Sequence, residues 1–150
     1  CVMSTGNALA HVDNLGVEQT LREMDRLVRP GGYLYLDSRN WDKVLKKRDR
    51  FLYYPPFIRE DGVRVNCVQV WDYHPDGAMT ANILNAYESE GKIIRQEVYE
   101  EHWMPFSIEL VRSTLKELGY RDITIKPLPY FQDLDFEEIG WYCLRARKPI

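Results

Sequence analysis

The sequence predicts an α/β fold interrupted by an antiparallel meander, and three patterns predict it. Val17, Leu21, Met24, Leu27 and Val28 form one apolar stripe at helical spacing, stopped by Pro30-Gly31-Gly32. Tyr33-Leu34-Tyr35-Leu36 follows at once, too apolar for a half-exposed strand and suited to an inner parallel strand covered on both faces. From residue 63 to 104 the period changes to two, and beyond it the helical period returns.

Taken in order, Cys1 to Ser4 is a short apolar strand that ends in the turn Thr5-Gly6-Asn7. A helix over Val17 to Arg29 then leads to the strand at Tyr33 to Leu36, with a right-handed crossover expected. The polar run Asp37-Ser38-Arg39-Asn40-Trp41-Asp42 comes next, at the end of a buried strand, where open α/β sheets bind ligands. A short helix is expected over Trp41 to Lys47. In Phe51-Leu52-Tyr53-Tyr54-Pro55-Pro56-Phe57 the prolines argue against a regular element.

Three meander strands follow, with Val63, Val65, Cys67, Gln69, Trp71 and Tyr73 on one side of the first. Pro75-Asp76-Gly77 turns into a second strand at Met79 to Tyr87, and Ser89-Glu90-Gly91 into a third at Lys92 to Trp103. Ser107 can cap a helix carrying Ile108, Val111, Leu115 and Leu118, which Gly119 ends; Phe106 and Val111 suit a hydrophobic staple. Strands are expected at Asp122 to Leu128 and Gly140 to Ala146, joined by an acidic, aromatic loop over Pro129 to Glu138. The expectation is one domain over 1–150, with 1–62 and 105–150 forming the α/β part and 63–104 the insertion.

Composition narrows the function. With 45% hydrophobic, 29% charged and 13% aromatic residues, the 150-residue chain is globular. A net charge of −3 offers no electrostatic footprint for nucleic acid, and the run Lys43, Lys46, Lys47, Arg48, Arg50 reads as a solvated helix face. No apolar run approaches the ~20 residues of a membrane span. Cys1, Cys67 and Cys143 lie far apart, and the 3 histidines are scattered, so neither a disulfide framework nor a metal site is expected. This suits a reducing compartment, hence the cytoplasm. The opening Cys1-Val2-Met3 reads as a sequence that begins partway through a fold. No G-x-G-x-x-G turn occurs.

Three segments carry a family resemblance. Ser4-Thr5-Gly6-Asn7-Ala8-Leu9-Ala10-His11, Leu27-Val28-Arg29-Pro30-Gly31-Gly32 and Leu36-Asp37-Ser38-Arg39-Asn40-Trp41-Asp42 resemble class I S-adenosylmethionine-dependent methyltransferases. More narrowly, they are similar to the glycine and glycine/sarcosine N-methyltransferases. Tyr53-Tyr54, the inserted antiparallel strands and Trp103-Met104-Pro105 match in order. Ala8 replaces the usual Ser, Trp41 stands where Tyr is common, and Trp103-Met104 replaces an aromatic pair.

The resemblance implies the C-terminal part of a Rossmann-like methyltransferase fold with an inserted three-stranded antiparallel meander. The glycine-rich turn and the first three strands, with most of the S-adenosylmethionine site, would lie upstream of Cys1. It implies a small-molecule amine as acceptor. A free strand edge at Cys1 to Ser4 adds the expectation of a homo-oligomer.

Methyl transfer from a sulfonium releases a neutral leaving group, so alignment matters and no acid, base or nucleophile is named. Arg39 suits an acceptor carboxylate, since guanidinium offers two parallel donors; the structural alternative is an ion pair with Asp37 or Asp42. Asn7 and Trp103 join it as substrate-binding candidates. Against them stand a turn-shaping role for Gly6-Asn7 and a core role for Trp103. The resemblance assigns donor contacts to Thr5, Gly6, His11 and Tyr54. His11 equally reads as structural, and Tyr53-Tyr54 as part of a packed loop. Two other readings stay open: methylation of a different small acceptor, and a non-enzymatic α+β module that binds a ligand or partner.

Overall fold

The computed structural model describes residues 1–128 and 135–150. The chain resolves into two compact units, one of residues 1–47 and 104–150, the other of residues 48–103.

The first unit holds a four-stranded sheet in the order β1 (Val2–Ser4), β2 (Tyr33–Arg39), β8 (Trp141–Arg147), β7 (Arg121–Pro127). β1 and β2 are parallel, while β8 runs antiparallel to both β2 and β7. Between β1 and β2 lie a 3-10 turn (Ala8–His11) and α1 (Asn14–Leu27). Asp13 caps α1 by accepting the Gly16 N–H at 2.8 Å, and Val17, Leu21 and Met24 form its buried stripe. The stop is as the sequence implies. Gly31 takes a φ of 74°, a left-handed position that costs an L-residue about 1–2 kcal/mol. Its N–H reaches the carbonyls of Lys148 and Pro149, both at 3.1 Å.

α2 occupies Trp41–Lys47, as expected. α3 spans Ile108–Glu117 with Ser107 as its cap, its hydroxyl accepting the Leu110 N–H at 3.1 Å. Phe106 and Val111 are both buried. The expected double cover of β2 is corrected: Leu34, Leu36 and Ser38 are buried, whereas Tyr33, Tyr35, Asp37 and Arg39 alternate with them as exposed or half-buried positions. Tyrosine, apolar with a polar tip, suits such a face. Part of the loop expected at 129–138, residues 129–134, lies outside the described residues; 136–138 form a turn.

The second unit is an antiparallel sheet in the order β3 (Phe51–Ile58), β4 (Arg64–Tyr73), β5 (Met79–Ser89), β6 (Lys92–Trp103). The three strands read from the period of two are present, and a fourth joins them where the prolines argued against one. Pro55 and Pro56 fall where the register slips: Tyr54 faces Cys67 and Phe57 faces Val65, so two residues oppose one. Proline is tolerated at a bulge and on an edge strand, because no ladder N–H is required there. The compact unit that holds this sheet runs from residue 48 to 103. Val65, Gln69 and Trp71 from β4, Met79 and Ala81 from β5 and Trp103 from β6 share one face and are its buried members.

Candidate functional site

Parallel pairing of β1 with β2, Val2 against Leu34 and Ser4 against Leu36, carries both strands out of the sheet at the same end. The turn Thr5-Gly6-Asn7 therefore lies beside Asp37 and Ser38. Gly6 and Asn7 both adopt left-handed backbone, with φ of 71° and 65°. Glycine and asparagine tolerate this region best, which accounts for the pair at this point.

Asn7 is 5% exposed, and its side chain does not cap the 3-10 turn it precedes. Its Oδ1 instead accepts from the Ser38 hydroxyl at 2.8 Å, the Trp41 indole N–H at 3.1 Å and the Arg39 N–H at 3.2 Å. A single amide oxygen thus fastens the first turn to the end of β2 and the start of α2. Its Nδ2 donates to no group among the described residues.

Asp37 makes the second fastening. Its Oδ1 accepts the Gly6 N–H at 2.9 Å and the Trp141 indole N–H at 3.1 Å, joining β1, β2 and β8. Asn40 is fully buried: Nδ2 donates to the carbonyls of Phe136 at 2.7 Å and Ile139 at 3.1 Å, and Oδ1 accepts from Lys43 N–H at 3.2 Å. Asp42 accepts the Ile108 N–H at 2.9 Å. In the segment from Asp37 to Asp42, five side chains are thereby committed to the scaffold. The sixth, Arg39, places its guanidinium carbon 5.9 Å from the Trp41 ring centre and 5.3 Å from that of Trp141.

Thr5 and Gly6 are exposed on the turn, and a Cβ built on Gly6 meets nothing within 4 Å, so space lies open above it. That is compatible with a ligand approaching the backbone there. His11 ends the 3-10 turn and is exposed. The structure thus brings Thr5, Gly6, Asn7 and Arg39 to one end of the first unit. Tyr54 and Trp103 belong to the second unit. Tyr54 sits on β3, and Trp103, 4% exposed, packs its ring edge-on to Trp71 at 5.7 Å and donates its N–H to Glu101 at 3.1 Å.

Two residues escaped the sequence reading, Asp37 as an anchor and Trp141 as a neighbour of Arg39. An acidic residue at a strand end and an aromatic after a glycine were the only signals, and neither specifies a partner.

The groups whose acidity the fold clearly changes are held in their neutral forms. Burial, reinforced by the Asp42 carboxylate, raises the Tyr142 hydroxyl well above its usual value, and burial with Cys143 and Asp37 nearby raises Tyr35. Neither is prepared as a base. Among the described residues no cluster of metal-ligating side chains occurs, and no helix is long and apolar enough to cross a membrane.

Among the solved structures that share this fold, one is described as an S-adenosylmethionine-dependent methyltransferase and another as a methyltransferase. A protein of that description from Clostridium acetobutylicum superposes with a TM-score of 0.71 at 10% identity, over 99% of this chain and 57% of that one. The CcbJ methyltransferase from Streptomyces caelestis gives 0.68 at 12% identity, covering 99% and 56%. DesVI from Streptomyces venezuelae gives 0.66 at 11% identity, covering 99% and 57%. The chain spans a little over half the length of these structures, in agreement with the C-terminal part of a methyltransferase fold. At these identities the likeness is one of fold. No protein-family model and no curated protein matches the chain.

Proposed function

We propose that the intact protein transfers a methyl group from S-adenosylmethionine to the amine of a small, carboxylate-bearing acceptor of the glycine or sarcosine kind. The observation that carries this reading is the convergence of Asn7 and Arg39 at the shared end of a parallel strand pair, in a fold shared with a solved S-adenosylmethionine-dependent methyltransferase.

When bound, the donor supplies the electrophilic methyl group. The residues of this chain supply position. Thr5 and Gly6 offer backbone groups at an open turn, with His11 four residues beyond Asn7. The Nδ2 of Asn7 is a donor suited to an acceptor oxygen. Arg39 meets a carboxylate through two parallel N–H groups, and its lateral position is limited by the indoles beside it. Fixing the acceptor in this way leaves its amine to be aimed along the sulfur–methyl axis, which is the main catalytic requirement of an in-line displacement with a neutral leaving group. Roles for Tyr54 and Trp103 rest on the family resemblance.

The test is Arg39→Lys in the intact protein, assayed with glycine or sarcosine and with carboxylate-free amines. Loss confined to the carboxylated acceptors supports the reading. Equal loss on both, or none, rejects the carboxylate clamp.

A further inference from the structure

We infer that Trp141 is a positioning residue for Arg39 and so sets the preference for carboxylate-bearing acceptors; this rests on the reading of Arg39 just given. β8 pairs antiparallel with β2 in a register that puts Trp141 directly opposite Arg39, so both side chains leave the same face of the sheet. The guanidinium carbon lies 5.3 Å from the Trp141 ring centre, within cation–π range, and 5.9 Å from that of Trp41. Both indoles are themselves pinned. The Trp41 N–H is held by Asn7 Oδ1 and the Trp141 N–H by Asp37 Oδ1, each at 3.1 Å.

Those two oxygens also hold the first turn to β2, since Asp37 takes the Gly6 N–H and Asn7 takes the Arg39 N–H. Turn, indoles and guanidinium form one frame. Trp41 is 1% exposed and serves the core, so replacing it disturbs the fold itself. Trp141 is only half-buried; its N–H bonds to Asp37 and its ring faces the guanidinium. Arginine has several soft torsions; a planar face against its planar head removes most of that freedom before a carboxylate arrives. The indole touches Arg39, not the acceptor.

The experiment compares Trp141→Leu and Trp141→Phe in the intact protein, alone and combined with Arg39→Lys, using glycine and methylamine as acceptors. Trp141→Leu is expected to raise KM for glycine about five- to tenfold with little change in kcat, and to leave methylamine unaffected. Trp141→Phe, which keeps a ring face, retains most of the preference. With Lys at 39, Trp141→Leu adds nothing further. Equal loss on both acceptors, or the same loss with Lys at 39, overturns the inference. If Trp141→Leu does not fold, Trp141→Phe against Trp141→Met gives the same comparison. Should Arg39→Lys abolish the glycine preference while every Trp141 variant keeps it, this inference falls and the proposed function stands. Should the intact protein show no preference for glycine at all, the proposed function falls.

Discussion

Trp41 donates its indole N–H to the side-chain oxygen of Asn7 at 3.1 Å, across 34 positions of sequence, with both residues buried. The same oxygen serves the Ser38 hydroxyl and the Arg39 N–H. Asn7→Ala therefore leaves buried donors without an acceptor, at about 1–3 kcal/mol each, and places a Cβ-bearing residue of low tolerance in left-handed backbone. We expect a loss of at least about 3 kcal/mol in urea unfolding. Asn7→Gly removes the backbone strain but not the orphaned donors, and is expected to fall between Asn7→Ala and the parent protein. Equal stability of all three proteins would refute the bonding role.

How far the sequence discloses this site depends on which residue is considered. The stripe from Val17 to Val28, the Ser107 cap and the alternation along β4 rest on interactions within a few residues or on simple solvent contrast, and these patterns are visible in one dimension. The polar turn at Gly6-Asn7 is legible too, because left-handed backbone selects few residue types. β3 was hidden because proline signals the loss of a ladder N–H, and only the fold tells that the strand lies at an edge and bulges at Pro55-Pro56. Trp141 was hidden for a different reason. Its partners Asp37 and Arg39 are about a hundred residues away, and its position opposite Arg39 is a property of strand register.

Asp25 and Lys148 join α1 to the segment after β8. The ammonium lies 2.9 Å from the carboxylate and 2.7 Å from the Asp25 carbonyl, with side-chain exposures of 22% and 21%. A pair this sheltered is weakly screened, and removing one partner strands the other. Lys148→Met is expected to cost about 2–3 kcal/mol, with the double variant Asp25→Asn, Lys148→Met recovering part of it. Chemical denaturation of the four proteins measures the coupling; additive losses would show that the pair contributes nothing as a pair.

Tyr142 gives a pH dependence of known sign. Burial first, and the Asp42 carboxylate second, raise its hydroxyl above the ordinary value. The unfolded chain loses this proton near pH 10, whereas the folded chain keeps it. Stability from this group is thus fully present below about pH 10 and falls as the pH rises beyond it. Tyr142→Phe should reduce the alkaline slope. The hydroxyl lies near Ser38 without a well-formed hydrogen bond to it, so the change should be close to neutral at pH 7. Denaturant midpoints between pH 8 and about 11 test both statements, and an unchanged alkaline slope would reject the first.

A hydrogen-bond chain in the second unit assigns two histidine tautomers. His102 Nε2 lies 2.9 Å from Glu100 Oε1, so in the neutral ring this nitrogen carries the proton. Nδ1 of His102 must then accept, and the group facing it at 3.3 Å is the Thr80 hydroxyl. With its single proton so used, Thr80 Oγ1 accepts from His74, whose Nε2 lies at 2.8 Å. Both neutral rings are therefore Nε2–H tautomers. Long-range proton–nitrogen correlation spectra of the neutral rings read this directly. Thr80→Val should leave the His102 tautomer in place, because Glu100 still holds it, while releasing His74 to populate both forms. An Nδ1–H signal for His102 in the parent protein would show that Glu100 does not direct the chain.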